Sequence, residues 1–216
     1  MSRGDDLERG DQARGDQARG DQMRGDQMRG DQMRGDQVRG DQMSEVILRE
    51  SARVLLIDRA DRLLLYRGRL LQVEDPPYAW FTPGGGLDPG ESARQAAARE
   101  LREELGHVVS PDALGPVVAT SEGPWTTGGR RFFSRDSFFA LRVDELDVDT
   151  SGMDQEERES TDRFHWWTLG ELSGPAPGDE QVVPAGLGPL VRRIVAGDPP
   201  ATPITLPWHL LNDDHA

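Results

Sequence analysis

The 216-residue sequence contains no cysteine, no lysine and no run of apolar residues long enough to cross a membrane. Without cysteine the chain can form neither a disulfide framework nor a thiolate metal site, so we expect an intracellular, cytoplasmic protein. A membrane span needs about 18 consecutive apolar residues, and the opening MSRGDDLERG lacks the apolar segment of a secretion signal. We therefore predict that the protein does not associate with a membrane.

Basic charge is also scarce. All 25 basic residues are arginine, and 39 aspartates and glutamates give a net charge of -14. Such a chain lacks the basic footprint of a protein that grips a nucleic-acid polymer. We expect a small-molecule partner instead, with phosphate bound locally through metal and a few arginines, and we leave a homodimer open.

Residues 9–43 are seven tandem pentapeptides of the form RGDQA, RGDQM or RGDQV. Each unit carries one modest apolar residue, which is too little to bury against the cost of chain entropy. We predict a disordered, low-complexity tail over residues 1–43 and a folded domain over residues 44–212.

The folded part alternates apolar runs with turn residues. A loop carrying Trp125 and an acidic connection over 144–162 interrupt these runs, and a last helix is predicted over 185–196. Trp80 and Phe81 are predicted to pack in the core rather than to stack on substrate. Strands are predicted at 45–50, 52–58, 62–66, 117–120, 130–133, 137–143 and 164–167, and residues 78–82 lead into a glycine turn.

A glycine turn at 83–86 leads into a helix whose residues are strong helix formers, and Gly106 is expected as a left-handed C-cap. At about 100° per residue, Glu100, Glu103 and Glu104 fall within roughly one third of the helix circumference. Like charges at this spacing destabilise a helix unless something neutralises them. A solvated acidic face is the simpler interpretation, but oxygen ligands beside a glycine turn suit a hard cation such as Mg²⁺.

The stretch 85–107 resembles the Nudix box, Gly-x5-Glu-x7-Arg-Glu-U-x-Glu-Glu-x-Gly-U, where U is a bulky apolar residue. His107 stands where the pattern ends in an apolar residue. The resemblance implies an α/β/α sandwich with a mixed sheet and hydrolysis of a nucleoside diphosphate linked to another group. The matching positions are Gly85, Glu91, Arg99, Glu100, Leu101, Glu103, Glu104 and Gly106.

The same resemblance implies roles for individual residues. Glu100, Glu103 and Glu104 would bind Mg²⁺, with Mn²⁺ as an alternative, and the backbone carbonyl near Gly85 would join them. Arg99 would orient a carboxylate, that of Glu103. The general base would be a box glutamate or one from the acidic connection, for which the candidates are Glu156, Glu157 and Glu159, with a slight preference for Glu157.

Substrate choice rests on weaker signals. Arg67 and Arg69 follow a predicted strand and are candidates for binding substrate phosphate, although arginines there are as often solvated. Pro124 lies at a distance from the box that resembles ADP-ribose-cleaving members. We lean to ADP-ribose or a related nucleotide sugar. The alternatives are a nucleoside triphosphate, including an oxidised one, and a non-catalytic module that senses nucleotides.

Overall fold

A mixed β-sheet forms the centre of the fold in a computed structural model that describes residues 45–69, 77–127, 129–174, 178 and 180–208, with the backbone alone at Thr127 and Glu156. The predicted tail over 1–43 lies outside these residues. The strands are β1 Val46–Ile57, β2 Leu63–Arg69, β3 Tyr78–Phe81, β4 Gly84–Gly86, β5 Val117–Thr127, β6 Arg130–Arg142, β7 Thr161–Trp167, β8 Gln181–Val183 and β9 Ile204–Thr205. The helices are α1 Ala93–Leu105, α2 Gln155–Ser160 and α3 Leu187–Val195.

The strand order is β8-β3-β2-β1-β6-β5-β9, with β4 also paired to β1 and β7 to β2. The central pair, β1 and β6, is parallel and continuous from Val46 opposite Arg131 to Ile57 opposite Arg142. Parallel pairs also join β3 to β8 and β5 to β9, while the other pairs are antiparallel. The sheet is therefore mixed, as predicted.

Each face of the sheet is covered by a helix. Alternate residues of a strand point to opposite faces, so β1 contributes apolar side chains to the core on both sides. On one face Val54 and Leu56 of β1 pack against Leu101 of α1. On the other face Leu55 of β1 packs in a cluster with Leu190 of α3. This arrangement confirms the predicted α/β/α sandwich. None of the described helices is long and apolar enough to span a membrane.

Both ends of α1 follow from its sequence. Ser92 is the N-cap, and its side chain and that of Gln95 form a reciprocal capping box. Gly106 closes the helix in the left-handed region at φ 67°, as predicted. The apolar stripe is buried, with Ala97 and Leu101 at 0% exposure. The core prediction is confirmed for Trp80, which is 2% exposed, whereas Phe81 is only half-buried.

Three local predictions were wrong. The glycine turn forms β4, in which Gly85 pairs with Ala52 of β1. Glycine permits this approach, since a Cβ on Gly84 would lie 2.1 Å from the Ala52 carbonyl oxygen. Trp125 lies inside β5 rather than in a loop, because β6 pairs with β5 along its length. The acidic connection contains α2, which Asp154 caps through the backbone N–H of Glu157.

Candidate active site

Glu104 is the most deeply buried carboxylate of the box. It lies on α1 with 6% exposure, and its Oε2 accepts a 2.7 Å hydrogen bond from the backbone N–H of Gly84. Burial raises the pKa of Glu104 to about 8, and the nearby charge of Glu100 adds to the shift, while the Gly84 N–H partly opposes it. A carboxyl group with this pKa lies in surroundings that disfavour its negative charge.

Glu100 lies beside it, pressed against the glycine strand. A Cβ on Gly85 would lie 2.5 Å from Glu100 Oε1, so only glycine leaves room for this carboxylate. Burial raises the pKa of Glu100, although the hydrogen bond and charge of Arg99 act in the opposite direction. Strand β4 and helix α1 thus bring two buried carboxylates to the same place.

Arg99 connects the box at several points. Its Nη2 donates to the Gly86 carbonyl at 2.8 Å and to Glu91 Oε2 at 3.0 Å. Its Nη1 donates to Glu100 Oε1 at 2.8 Å and to Glu103 Oε2 at 3.0 Å. The predicted contact with Glu103 is therefore present. Arg99 also fixes Glu91, a box residue to which the sequence reasoning gave no role.

Glu103 differs from its two neighbours. Its side chain is 33% exposed, and its Oε1 accepts from Arg102 Nη2 at 2.9 Å while Oε2 accepts from Arg99. Within the described part of the chain, no three His, Asp or Glu side chains converge closely enough to form a metal site. The three box glutamates share a helix face as predicted, but arginines engage both oxygens of Glu103.

The box nevertheless fits a divalent cation by its chemistry. Its donors are all oxygens, and the second cavity described below opens beside Glu100. The raised pKa values of Glu100 and Glu104 reflect burial first, to which the proximity of a second carboxylate adds for Glu104. A bound cation would offset both penalties, and Mg²⁺ prefers such oxygen ligands.

Of the two candidate bases whose side chains the structure describes, Glu157 is the one whose charge acts on the buried box glutamates. It lies in the first turn of α2, and its Oε2 accepts from the backbone N–H of Asp154 at 2.9 Å. Its charge contributes to the raised pKa of both Glu100 and Glu104. Glu159 instead accepts from Gln155 Nε2 at 2.7 Å. The side chain of Glu156 lies outside the described residues.

Arg53 is a site residue that the sequence reasoning missed. It lies in the middle of β1, and its Nη1 donates to the Gly84 carbonyl. Burial lowers the pKa of Arg53, but the charge of Asp136 and weaker contributions from Tyr66, Glu104 and Glu100 raise it by more. A signal was available, since Arg53 interrupts the apolar run AxVLLI of a central strand.

Two cavities lie on either side of Arg49. The first, of about 240 Å³, lies over the face of β1 that carries Arg53, and the second, of about 620 Å³, is lined by Glu91, Arg99 and Glu100 of the box. Arg49 lines both. The first cavity is lined by side chains that include Arg49, Arg53, Tyr66, Arg69, Phe81, Trp125, Asp136 and Trp208.

The two arginines predicted to bind phosphate lie in different surroundings. Arg69 lines the first cavity, and its guanidinium carbon lies 4.6 Å from the ring centroid of Tyr78. Arg67 donates to Glu180 Oε2 at 2.9 Å and to Asp162 Oδ2 at 2.9 Å, and its guanidinium stacks over Tyr78 at 3.6 Å. Both guanidinium groups therefore lie against the ring of Tyr78, and of the two arginines Arg69 is the one that lines the first cavity.

Comparison with known proteins identifies the family. The NUDIX domain family matches residues 47–186, which is more than half of the chain. The chain belongs to the NUDIX family. An RNA pyrophosphohydrolase of Sphingopyxis alaskensis is 31% identical over 137 residues, covering 57% of this chain and 80% of the relative.

Other matches are shorter or structural. A Bacillus subtilis protein named as a candidate 8-oxo-dGTP diphosphatase is 40% identical over 62 residues, covering 29% of this chain and only 32% of that protein. The crystal structure of a MutT protein from Methanosarcina mazei is 18% identical with a TM-score of 0.46, covering 71% of this chain and 97% of that one. At this TM-score the likeness carries no information on substrate.

Proposed function

We propose that this Nudix domain is a Mg²⁺-dependent pyrophosphohydrolase that cleaves the diphosphate bond of a nucleoside diphosphate linked to another group. The observation that carries the proposal is the pair of buried carboxylates, of which Glu100 packs against Gly85 and lines the second cavity while Glu104 accepts from the Gly84 N–H. Strongly perturbed carboxylates beside a cavity are typical of functional sites.

Some box residues would bind the metal, and others would position its ligands. Glu100, Glu103, Glu104 and the carbonyl of Gly85 would hold Mg²⁺, which supplies positive charge that offsets the repulsion between a diphosphate and attacking water. Arg99 would hold Glu103 and Glu100 in place through the hydrogen bonds described above. Binding of the cation would require Glu103 to exchange at least one arginine contact.

Glu157 is our proposed general base. Its charge acts on both buried glutamates, so it lies near the reaction centre while α2 positions its backbone. A carboxylate there would accept a proton from the attacking water. The alternative is that Glu103 or Glu104 of the box performs this step, with Glu157 serving only as a helix cap.

The cavities favour a substrate with two organic parts. The first combines aromatic rings with Asp136 and arginines, which suits a nucleoside with a flat face and a polar edge. The second is polar, lies on the box side and would take the group beyond the diphosphate. Arg49, which lines both, and Arg69 would contact phosphate oxygens, while the engaged guanidinium of Arg67 favours a supporting role. We therefore favour ADP-ribose or a related nucleotide sugar.

A nucleoside triphosphate is the second candidate, supported by the name of the Bacillus subtilis relative, which refers to 8-oxo-dGTP. In that case the second cavity would hold the departing diphosphate. The Sphingopyxis alaskensis relative, named for action on RNA, gives a reason to test a short 5′-triphosphorylated RNA as well, against our expectation of a small-molecule substrate.

The test is a substrate panel of ADP-ribose, other nucleotide sugars, dGTP, 8-oxo-dGTP and the RNA, each with Mg²⁺ or with EDTA. We expect metal-dependent release of a nucleoside monophosphate and a sugar phosphate. Release of inorganic pyrophosphate from the triphosphates at higher kcat/KM would favour the second candidate. Absence of metal-dependent hydrolysis across the panel would contradict catalysis and favour a nucleotide-sensing module.

A further inference from the structure

Trp208 contributes to the first cavity from a part of the chain beyond the family match, which ends at residue 186. The segment before it is fixed to the sheet. Strand β9 pairs with β5, the backbone N–H of Leu206 donates to the Thr120 carbonyl at 2.7 Å, and the Leu206 side chain is buried in the core. Trp208 is thus placed by an anchored strand.

The indole of Trp208 occupies space that Gly123 leaves open. A Cβ on Gly123 would lie 2.2 Å from Trp208 Cγ, so any other residue at this position of β5 would displace the ring. The indole Nε1 donates to the Pro124 carbonyl at 3.1 Å. One glycine and one carbonyl of β5 therefore fix both the position and the orientation of the ring.

Trp125 lies two residues along β5 from Gly123 and so points to the same face of the sheet. It stacks on Phe132 with a centroid distance of 4.5 Å and an interplanar angle of 19°, and its Nε1 donates to Ser134 Oγ at 2.7 Å. Because both indole N–H groups have acceptors in the protein, each tryptophan offers the cavity ring surface rather than a hydrogen-bond donor.

We propose that Trp208 stacks on the nucleobase of the substrate in the first cavity and so favours ligands that carry a base over ligands that lack one. This inference rests on the proposed function, since it assigns the nucleoside to that cavity. Ring surface gives stacking that every base can use, while Asp136 and Arg53 on the cavity lining provide polar groups for a base edge. Arg49, shared with the second cavity, lies on the path from base to diphosphate.

The test compares a ligand that has a base with one that lacks it. Binding of AMP, GMP and ribose 5-phosphate is measured by calorimetry for the wild type, W208A, W208F and G123A. Loss of one stacking contact is expected to weaken nucleotide binding about tenfold in W208A and G123A, with ribose 5-phosphate unchanged. W208F should remain within about threefold of the wild type, since a smaller ring still stacks.

F133A is the matched control, because Phe133 pairs with Pro124 in the strand register but points away from the face that carries Ser134 and the cavity. It should bind all three ligands like the wild type. Equal binding of AMP and GMP by W208A and wild type would overturn the inference, as would an equal loss of ribose 5-phosphate binding, which indicates a structural role.

Steady-state assays distinguish a failure of the Trp208 inference from a failure of the proposed function. A wild type without metal-dependent hydrolysis contradicts the latter, whereas an active wild type and W208A with the same KM contradict only the role of Trp208.

Discussion

Arg99 and Arg67 are each surrounded by carboxylates, yet the two clusters differ in how their charges are balanced. Around Arg67, the hydrogen bonds from the guanidinium lower the pKa of Glu180, its partner 113 positions away in the chain. Around Arg99, the hydrogen bond from the arginine lowers the pKa of Glu91, but burial raises the pKa of Glu100 in spite of the arginine. Burial also raises the pKa of the neighbouring Glu104, against the Gly84 N–H and the charge of Arg53.

The difference separates carboxylates whose charge an arginine neutralises from carboxylates whose charge is left uncompensated. In the Arg67 cluster the hydrogen bonds from the arginine lower the pKa of Glu180, so the charge of Glu180 favours the folded state. In the box, one arginine is shared among Glu91, Glu100 and Glu103, and Glu104 receives only a backbone N–H among its described hydrogen bonds. Buried carboxylates without enough neutralising arginines are typical of sites where a bound ligand supplies the positive charge.

The largest effect is expected from E104Q, which removes charge from the box and keeps its shape. We predict that kcat falls at least about 100-fold, because the metal site loses a ligand charge. The fold should be unaffected, since glutamine retains an acceptor for the Gly84 N–H. Turnover at saturating substrate, with the melting temperature as control, measures both. Wild-type turnover in E104Q would contradict the metal-site assignment.

Next in size is the effect of E157Q, which we predict to lower kcat about 100-fold through loss of the general base. Glutamine at this position preserves the capping box of α2, so the helix should not unfold. E159Q is the matched control on the same helix and should retain activity. If E157Q is fully active, the base lies in the box and α2 is only a surface element. E156Q completes the set.

A change in the Arg67 cluster should lower stability and leave turnover nearly unchanged. R67Q leaves Glu180 without its main partner, and because both side chains are less than one fifth exposed we expect a loss of about 2 kcal/mol in stability. Turnover should stay within about threefold. Urea unfolding of R67Q, E180Q and the double variant should give strongly non-additive losses. A stable R67Q with greatly increased KM would instead support the original phosphate-binding prediction.

A smaller effect is expected from pH. Because the folded pKa of Glu104 is raised to about 8 from an ordinary 4.5, the folded state retains a proton that the unfolded state loses between these values. Stability in EDTA should therefore fall as pH rises from about 5 to 8, more steeply in the wild type than in E104Q. Parallel pH profiles of the two proteins would show that Glu104 titrates normally.

The spacing of residues close together in the sequence predicted much of the site. The features that it missed depend on contacts between residues far apart in the chain. The spacing of box residues set α1 and the shared face of its glutamates, because helix geometry depends on neighbours in sequence. The strand pairing of Gly85 with Ala52 and the contact of Arg67 with Glu180 join residues far apart in the chain, so no local signal indicated them. Arg53 was visible as a lone charge in an apolar strand, but its partner Gly84 was not.

The central claim is that the unbalanced carboxylates of the box bind a divalent cation. Titration with Mn²⁺, followed by the electron paramagnetic resonance of the free ion, tests this without substrate or turnover. We predict that the wild type binds Mn²⁺, that Mg²⁺ competes for the same site, and that E104Q weakens binding at least about tenfold while R67Q does not. Equal Mn²⁺ affinity in wild type and E104Q would contradict the claim.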